Sequence, residues 1–302
     1  MGYNCVVLVK YVPDTKRVTG DAMTEDGTVN RAALPMVFNP EDLHALEMGL
    51  EIRQRFGGSV TAVTMGPPAA CEILRESLFR GADRAILLTD RKAAASDTLA
   101  TSYILSRAVE KVGDVDIVIC GRQAIDGDTA QVGPQLAEKL NLPQITYVEQ
   151  LNDLQDGRIV VRRNVGNGFE VVACKLPVLM TILDTAALPR PPAARRMMKF
   201  KKARARVEVE AALADEGVDE NAREAELERR LLDLADKGLL IEQWNLADLD
   251  ADLTWCGRSG SPTKVHRIQS VVLTGKGHKV VEPTDEGLTA MVHELIDDHT
   301  IG

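Results

Sequence analysis

Aromatic side chains are scarce in this chain: two tryptophans, four tyrosines and five phenylalanines make up 4% of 302 residues. With so few rings on which bases could stack, a nucleic-acid surface built on aromatic platforms is not expected. The five cysteines, Cys5, Cys71, Cys120, Cys174 and Cys256, lie far apart and form no C-x-x-C pair, so neither a zinc site nor a disulfide framework is suggested. Cys5, Cys120 and Cys174 fall in apolar, strand-like runs where buried thiols are ordinary. The histidines, at 44, 266, 278, 293 and 299, are scattered, and none has a cysteine or carboxylate at metal spacing. No Ser/His/Asp or Cys/His arrangement stands out, which makes a hydrolase a poor reading.

Long apolar runs are missing too, so no membrane span is expected. The start, MGYNCVVLVKYV, lacks the apolar stretch and cleavage site of a signal peptide, and Val6 stands where a myristoylation motif needs serine or threonine. A reducing cytoplasm is the expected compartment. The net charge of -9 gives no general attraction to nucleic-acid backbones or anionic membranes. Neither a Walker motif nor G-x-G-x-x-G follows any expected strand, so a nucleotide, if bound, is held in another way.

What is present is order. The first half alternates short β-branched runs with helical stretches, the pattern of an α/β fold with a mostly parallel sheet and helices on both faces. CVVLV, at 5–9, reads as the first strand. Asn39 and Pro40 are placed to cap and open a helix to Phe56, with Leu43, Leu46 and Leu50 on one stripe. SVTAVT follows as a strand, then a helix after Pro67 and Pro68 that stops at Gly81, then the strand RAILL. A helix from Asp97 to Val112 precedes the strand DIVIC, and another runs from about Gln131 to Leu140. From Ile145 the runs ITYV, RIVVRR, FEVVAC and VLMTI read as antiparallel strands joined by turns at Asp156-Gly157 and Gly166-Asn167-Gly168.

Residues 1–188 are therefore expected to form a nucleotide-binding domain, and 189–302 an excursion from it. That excursion opens with PRPPAARRMMKFKKARAR, whose eight basic residues are interrupted by no acid, and continues in an acidic helical stretch near Asp219 to Lys237. The basic run fits a solvated face, a nucleic-acid contact or a docking surface for an acidic protein; the acidic net charge argues against the second. One further strand and a helix capped at Thr284 complete the chain.

Two loops carry the chemistry. GRQAIDGDTAQVG (121–133) follows a buried strand and leads into a helix, the place where open parallel sheets take ligands. Gly121, Gly127, Thr129 and Ala130 are small enough for a ligand to approach the backbone, and the helix start offers N–H groups to an anion. Asp126 and Asp128 would repel phosphate and suit ribose hydroxyls or helix capping. SDTLATS (96–102) likewise follows a strand and opens a helix, presenting Thr98, Thr101 and Ser102 as hydroxyl donors suited to a pyrophosphate. A plain glycine turn and a plain helix cap are the alternatives.

In this order the loops resemble the beta subunit of electron-transferring flavoproteins across residues 3 to about 206. VKYVPDT (9–15), FNPED, GADRAILL, CGRQAIDGDTAQVGPQ and KLPVLMT each match a block of that family. The resemblance implies a heterodimer with an alpha subunit that carries an electron-shuttling FAD, and a second adenine nucleotide in this subunit, AMP in mitochondrial-type members and FAD in bifurcating ones. Carried over by position, Leu8, Asn39, Asp42, Met65 and the loop Gly121, Arg122, Gln123, Ala124, Asp126, Gly127, Asp128, Thr129, Ala130, Gln131 and Val132 surround the adenosine part.

TVNRAALPMVFNPED, DTLATS, WNLADLDAD and GSPTKVHRI are similar to segments of the FAD-bearing, bifurcating members. That likeness implies NADH as hydride donor, with one electron passing to the alpha-subunit flavin and a flavin dehydrogenase of the acyl-CoA dehydrogenase kind, and the other to ferredoxin or flavodoxin. No side chain of this chain is then required as a proton-transfer catalyst. The chain departs from the family at the dehydrogenase recognition loop: aligning MMKFKK (197–202) puts Ala194 where a leucine anchor is expected. Alternative readings are an AMP-bearing carrier of the same fold and a stand-alone adenine-nucleotide module of the universal-stress-protein kind.

Overall fold

The computed structural model describes residues 2–14, 34–264 and 280–297. The NRAALP block ahead of Met36 lies mostly outside these residues, as do Thr15, His266, His278, His299 and the strand expected after Lys264.

Alternation along β1 (Tyr3–Leu8) decides the layering. Cys5 and Val7 point to one face of the sheet and Val6 and Leu8 to the other, each set entering a separate apolar cluster. Such double burial is what a near-continuous apolar strand requires. β2 (Tyr11–Pro13) and β3 (Met36–Phe38) form a small antiparallel pair beside the sheet. α1 (Pro40–Phe56) buries Leu46, Leu50 and Ile52 on the first face, and α2 (Cys71–Arg80) adds Ile73, Leu74 and Leu78 there. Between them runs β4 (Gly58–Met65). β5 (Arg84–Leu88) is followed by α3 (Thr98–Val112), β6 (Ile117–Gly121) by α4 (Val132–Lys139), and these two helices cover the second face through Ile104, Leu105, Val109 and Leu136.

β7 (Gln144–Gln155), β8 (Arg158–Asn164) and β9 (Phe169–Lys175) form an antiparallel extension. The Asp156-Gly157 turn between the first two has φ of 51° and 68°, the left-handed pair that a two-residue hairpin demands. β10 (Val178–Ile182) departs from the antiparallel reading of VLMTI. It inserts between β6 and β7, parallel to both, with all five residues buried. A pentapeptide with no exposed face, apolar but for the buried Thr181, fits the sheet centre better than its edge.

Beyond β10 the chain folds back on the core. Arg190 binds Glu47 of α1 at 2.8 Å, and Arg196 of α5 (Ala194–Phe200) donates to the Leu78 and Ala82 carbonyls at the end of α2. α6 (Arg206–Asp215) and α7 (Glu220–Asp236) pack through Val209, Leu213 and Leu227, with Arg206 reaching Glu210, Glu224 and Glu228. β11 (Glu242–Trp244) then joins β5 as a parallel edge strand, which completes a nine-stranded sheet in the order β11-β5-β4-β1-β6-β10-β7-β8-β9. α8 (Gly257–Gly260) lies against the loop after β5, and α9 (Asp285–Asp297) buries none of its residues.

Candidate functional site

Strand order reverses at β1: its own crossover leads to β4 on one side, while β6 lies on the other. A crevice therefore opens at the carboxyl ends of β1 and β6, where crossovers leave in opposite directions. Three side chains from the first turn of α1 shape it. Asp42, 6% exposed, accepts the Lys10 N–H at 2.8 Å through Oδ2 and the Gly121 N–H at 3.1 Å through Oδ1. Glu41, 5% exposed, accepts the Gln123 N–H at 2.8 Å and pairs with the Arg122 guanidinium at 2.7 Å. Asn39 occupies the cap position but does not cap its helix: its Nδ2 donates to the Gln123 carbonyl and its Oδ1 accepts the Ile125 N–H. A Cβ at Gly121 would meet Asp42 Oδ1 at 2.5 Å and Glu41 Cβ at 2.8 Å, so only glycine admits this approach.

Burial pushes the Asp42 carboxyl up to about 7, and the Asn39 amide, the Gly121 and Lys10 N–H groups and the Lys10 charge restrain the rise. Loop 121–131 is held open above it. Asp126 is paired with the Lys10 ammonium, both oxygens at 2.8 Å, and Asp128 accepts from the Gln123 amide at 3.0 Å. Both acids that would repel a phosphate are thus engaged by donors. Asp128 and Ala130 take left-handed φ of 49° and 52°, a conformation that costs alanine energy and is retained where the surroundings impose it.

The second loop lies alongside. Thr98 Oγ1 bonds Gln131 Oε1 at 3.0 Å, joining the start of α3 to the end of the 121–131 loop. Asp97 caps α3 by accepting the Ala100 N–H at 3.0 Å through Oδ1. Its Oδ2 accepts both the N–H and the hydroxyl of Thr263, at 2.9 and 2.7 Å, and Ser261 Oγ accepts the Asp97 N–H at 2.8 Å. The carboxyl-terminal arm is thereby seated on the α3 start. Gly257 makes this possible: at φ 62° it presses on the Lys92 carbonyl so closely that no side chain fits. Farther along, Tyr103 Oη accepts the Asp252 N–H, and Lys111 donates to the Asp248 carbonyl at 2.6 Å.

The structure thus gathers Leu8, Asn39, Asp42, Met65, Thr98, Thr101 and the 121–132 loop around one end of the sheet, with Leu8 buried and Met65 half-buried at neighbouring strand ends. Ser102 departs from the expected arrangement. It is fully buried and its hydroxyl donates to the Leu99 carbonyl at 2.8 Å, because position 102 falls on the inward face of α3. Cys174 is half-buried rather than enclosed, since β9 is the sheet edge. Sequence reasoning missed Lys10, Glu41 and the arm's Ser261 and Thr263. Glu41 carried a signal, as an acid in a helix first turn facing a glycine-ended strand; the arm contacts span more than 160 residues and carried none.

A hollow of about 530 Å³ among Gln144, Thr146, Arg163, Val172 and Cys174 lies on the antiparallel extension and contains no crevice residue. Among the described residues no cluster of His, Cys, Asp and Glu could hold a metal ion, and no helix is long and apolar enough to cross a membrane.

Comparison with known proteins matches residues 26–216 to the electron transfer flavoprotein domain. The chain is 37% identical over 298 residues, 99% of its own length and all of the relative's, to an electron transfer flavoprotein subunit beta of Clostridium acetobutylicum. It is 36% identical to subunit CarD of the caffeyl-CoA reductase-Etf complex of Acetobacterium woodii, covering 98% of this chain and 99% of that protein. To the protein FixA of Sinorhizobium fredii it is 38% identical over 96% of this chain and 91% of that one.

Proposed function

The chain belongs to the electron transfer flavoprotein family, among its beta subunits, and on that premise we propose that its carboxyl-end crevice holds FAD and that it works in a heterodimer with an alpha subunit. The observation that carries the reading is the Thr98–Gln131 contact. It makes one continuous site of two loops that would otherwise serve separate ligands. The 121–131 loop then receives the adenosine part, and the α3 start faces the pyrophosphate with its N–H groups and the Thr101 hydroxyl, while Thr98, whose hydroxyl hydrogen goes to Gln131, holds the two loops together. An AMP would have only one phosphate to place and would leave this second donor set unused.

FAD, when bound, supplies acceptance of hydride from NADH and division of the two electrons between the alpha-subunit flavin with its dehydrogenase and a ferredoxin or flavodoxin. What the chain's residues do is positional. Asn39, Glu41 and Asp42 fix the loop backbone, Lys10 holds Asp126 away from the phosphates, and Asp97 fastens the arm beside them. Similarity to subunits named for caffeyl-CoA and acryloyl-CoA reductases supports a partner of the acyl-CoA dehydrogenase kind. The exposed Leu188, Met197 and Met198, set among Arg195, Lys199, Lys201 and Lys202, offer it an apolar patch with a basic rim in place of the missing leucine.

The test is to purify the heterodimer, release its nucleotides with acid and count them. Two FAD per heterodimer support the proposal; one FAD with one AMP defeats it. Anaerobic addition of NADH then has to bleach the beta-subunit flavin.

A further inference from the structure

Asp42 sits in the middle of the crevice floor, and its contacts are with the protein. Its two oxygens accept the N–H of Lys10, just past β1, and the N–H of Gly121, the last residue of β6. These strands flank the point where the chain changes direction, and within the sheet they are bonded only over Cys5–Val7 and Ile117–Ile119. Beyond that register each end is held by its outer neighbour, Leu8 by Val63 of β4 and Gly121 by Ile182 of β10, and no β1–β6 pair joins them. The Asp42 carboxylate spans that gap, packed against Gly121 at the closest approach a glycine allows.

We propose that Asp42 is a positioning residue, a buried staple between the ends of β1 and β6 that sets the width of the crevice and does not itself touch the ligand. The inference rests on the nucleotide reading of that crevice and deepens it. With both oxygens accepting N–H bonds, loss of either acceptor leaves one of the two N–H groups without its partner across the gap. The groups that act on the carboxylate are the Asn39 amide on its own helix cap, the Gly121 and Lys10 N–H groups and the Lys10 ammonium, while Arg122 is paired with Glu41 and Asp126 with Lys10; the Cys120 thiol is itself raised by burial and by Asp42 and Glu41. Burial raises the carboxyl to about 7 against these attractions, so the closed arrangement binds a proton more readily than an opened one and acidification alone does not open the staple.

The experiment compares the full-length chain with its Asp42→Asn variant by hydrogen exchange of peptides covering Lys10 and Gly121, and by titration with FAD. Asparagine keeps the shape but offers one acceptor where two N–H groups need two. The expected result is faster exchange at both sites together with FAD binding weakened tenfold or more. The Asp42→Glu variant, which keeps two acceptor oxygens on a longer side chain, is expected to retain more protection at the same two sites than Asp42→Asn, which tests the staple even if Asp42→Asn folds poorly. Weakened binding with unchanged exchange would make Asp42 a ligand contact and overturn the proposal, as would faster exchange with unchanged affinity. Failure of the wild type to bind FAD would instead remove the nucleotide reading, and the exchange rates alone would still decide whether Asp42 ties the strand ends.

Discussion

Thr98 of α3 and Gln131 at the mouth of α4 are joined by a 3.0 Å hydrogen bond, although 33 residues separate them. The bond places two helix amino-termini side by side, and both present positive partial charge to the same space.

Replacing Thr98 and Thr101 together by valine removes the Thr98–Gln131 bond and the Thr101 hydroxyl while leaving the Asp97 cap and the backbone N–H groups in place. A hydrogen bond to a charged group contributes about 1.5–3 kcal/mol. Flavin content per beta subunit, read from absorbance after purification, is expected to drop to well under half, with the thermal midpoint within a few degrees of wild type. Unchanged occupancy would take the pyrophosphate away from α3.

The raised Asp42 carboxyl also fixes the sign of a pH effect on global stability. Its carboxyl holds a proton up to about pH 7 in the folded chain against a reference value of 3.8, so between these values the folded state binds more protons than the unfolded one. Stability from this group is therefore full below about pH 4 and is lost as pH rises through about 7. Relative to Asp42→Asn, which cannot titrate, the wild type is expected to lose roughly 1 kcal/mol per pH unit at the steepest part of that window in urea melts. A difference between the two proteins that is flat with pH would mean that Asp42 is not buried as a titrating group.

Much of this was legible in the sequence because its causes are local. The strand–glycine–helix junction at Gly121, the apolar stripe of α1 and the Asp-Gly hairpin each follow from residues within one or two turns of chain. The place of β10 was not legible, since VLMTI looks the same as an edge or a centre strand until its neighbours are known. Asn39 shows the limit within the site: its position at a helix start is readable, but the loop that claims its side chain lies more than 80 residues away.

Asp97 serves two elements at once, and that can be separated by substitution. Asn is as good a helix cap as Asp, so Asp97→Asn retains the Ala100 bond while weakening the charge-assisted pair with Thr263. The Asp97 carboxyl is held below its usual value, against the cost of its partial burial, by the bonds from Ala100 and Thr263. The variant is expected to unfold within about 1 kcal/mol of wild type and yet to be cut faster by trypsin at Arg258 and Lys264. An unchanged cleavage rate would show that the arm is seated by its other contacts.

Lys10 and Asp126 form a half-exposed pair, with side chains 48% and 27% accessible. Pairs of this kind contribute at most about 1 kcal/mol to stability. Lys10→Met is expected to leave the thermal midpoint nearly unchanged while FAD binding weakens and becomes more sensitive to salt, because the Asp126 charge then lacks the Lys10 counter-charge beside the phosphates. Equal salt dependence in variant and wild type would leave the pair without a role in shielding.

The last helix is where this chain is least self-sufficient. α9 carries Leu288, Met291, Val292, Leu295 and Ile296 along one stripe, at spacings of three and four, and none of them is buried. A 13-residue helix is marginal in water by itself, and most helical stability in proteins comes from packing an apolar face. Because no described residue buries the apolar stripe of α9, disrupting it should cost the isolated subunit little. Leu288→Glu combined with Leu295→Glu is therefore expected to leave the thermal midpoint of this chain unchanged and to reduce the yield of heterodimer on co-expression with the alpha subunit several-fold. A variant that lowers the midpoint of the isolated chain would place the stripe against its own core; one that co-purifies at full yield would leave the alpha subunit off this surface.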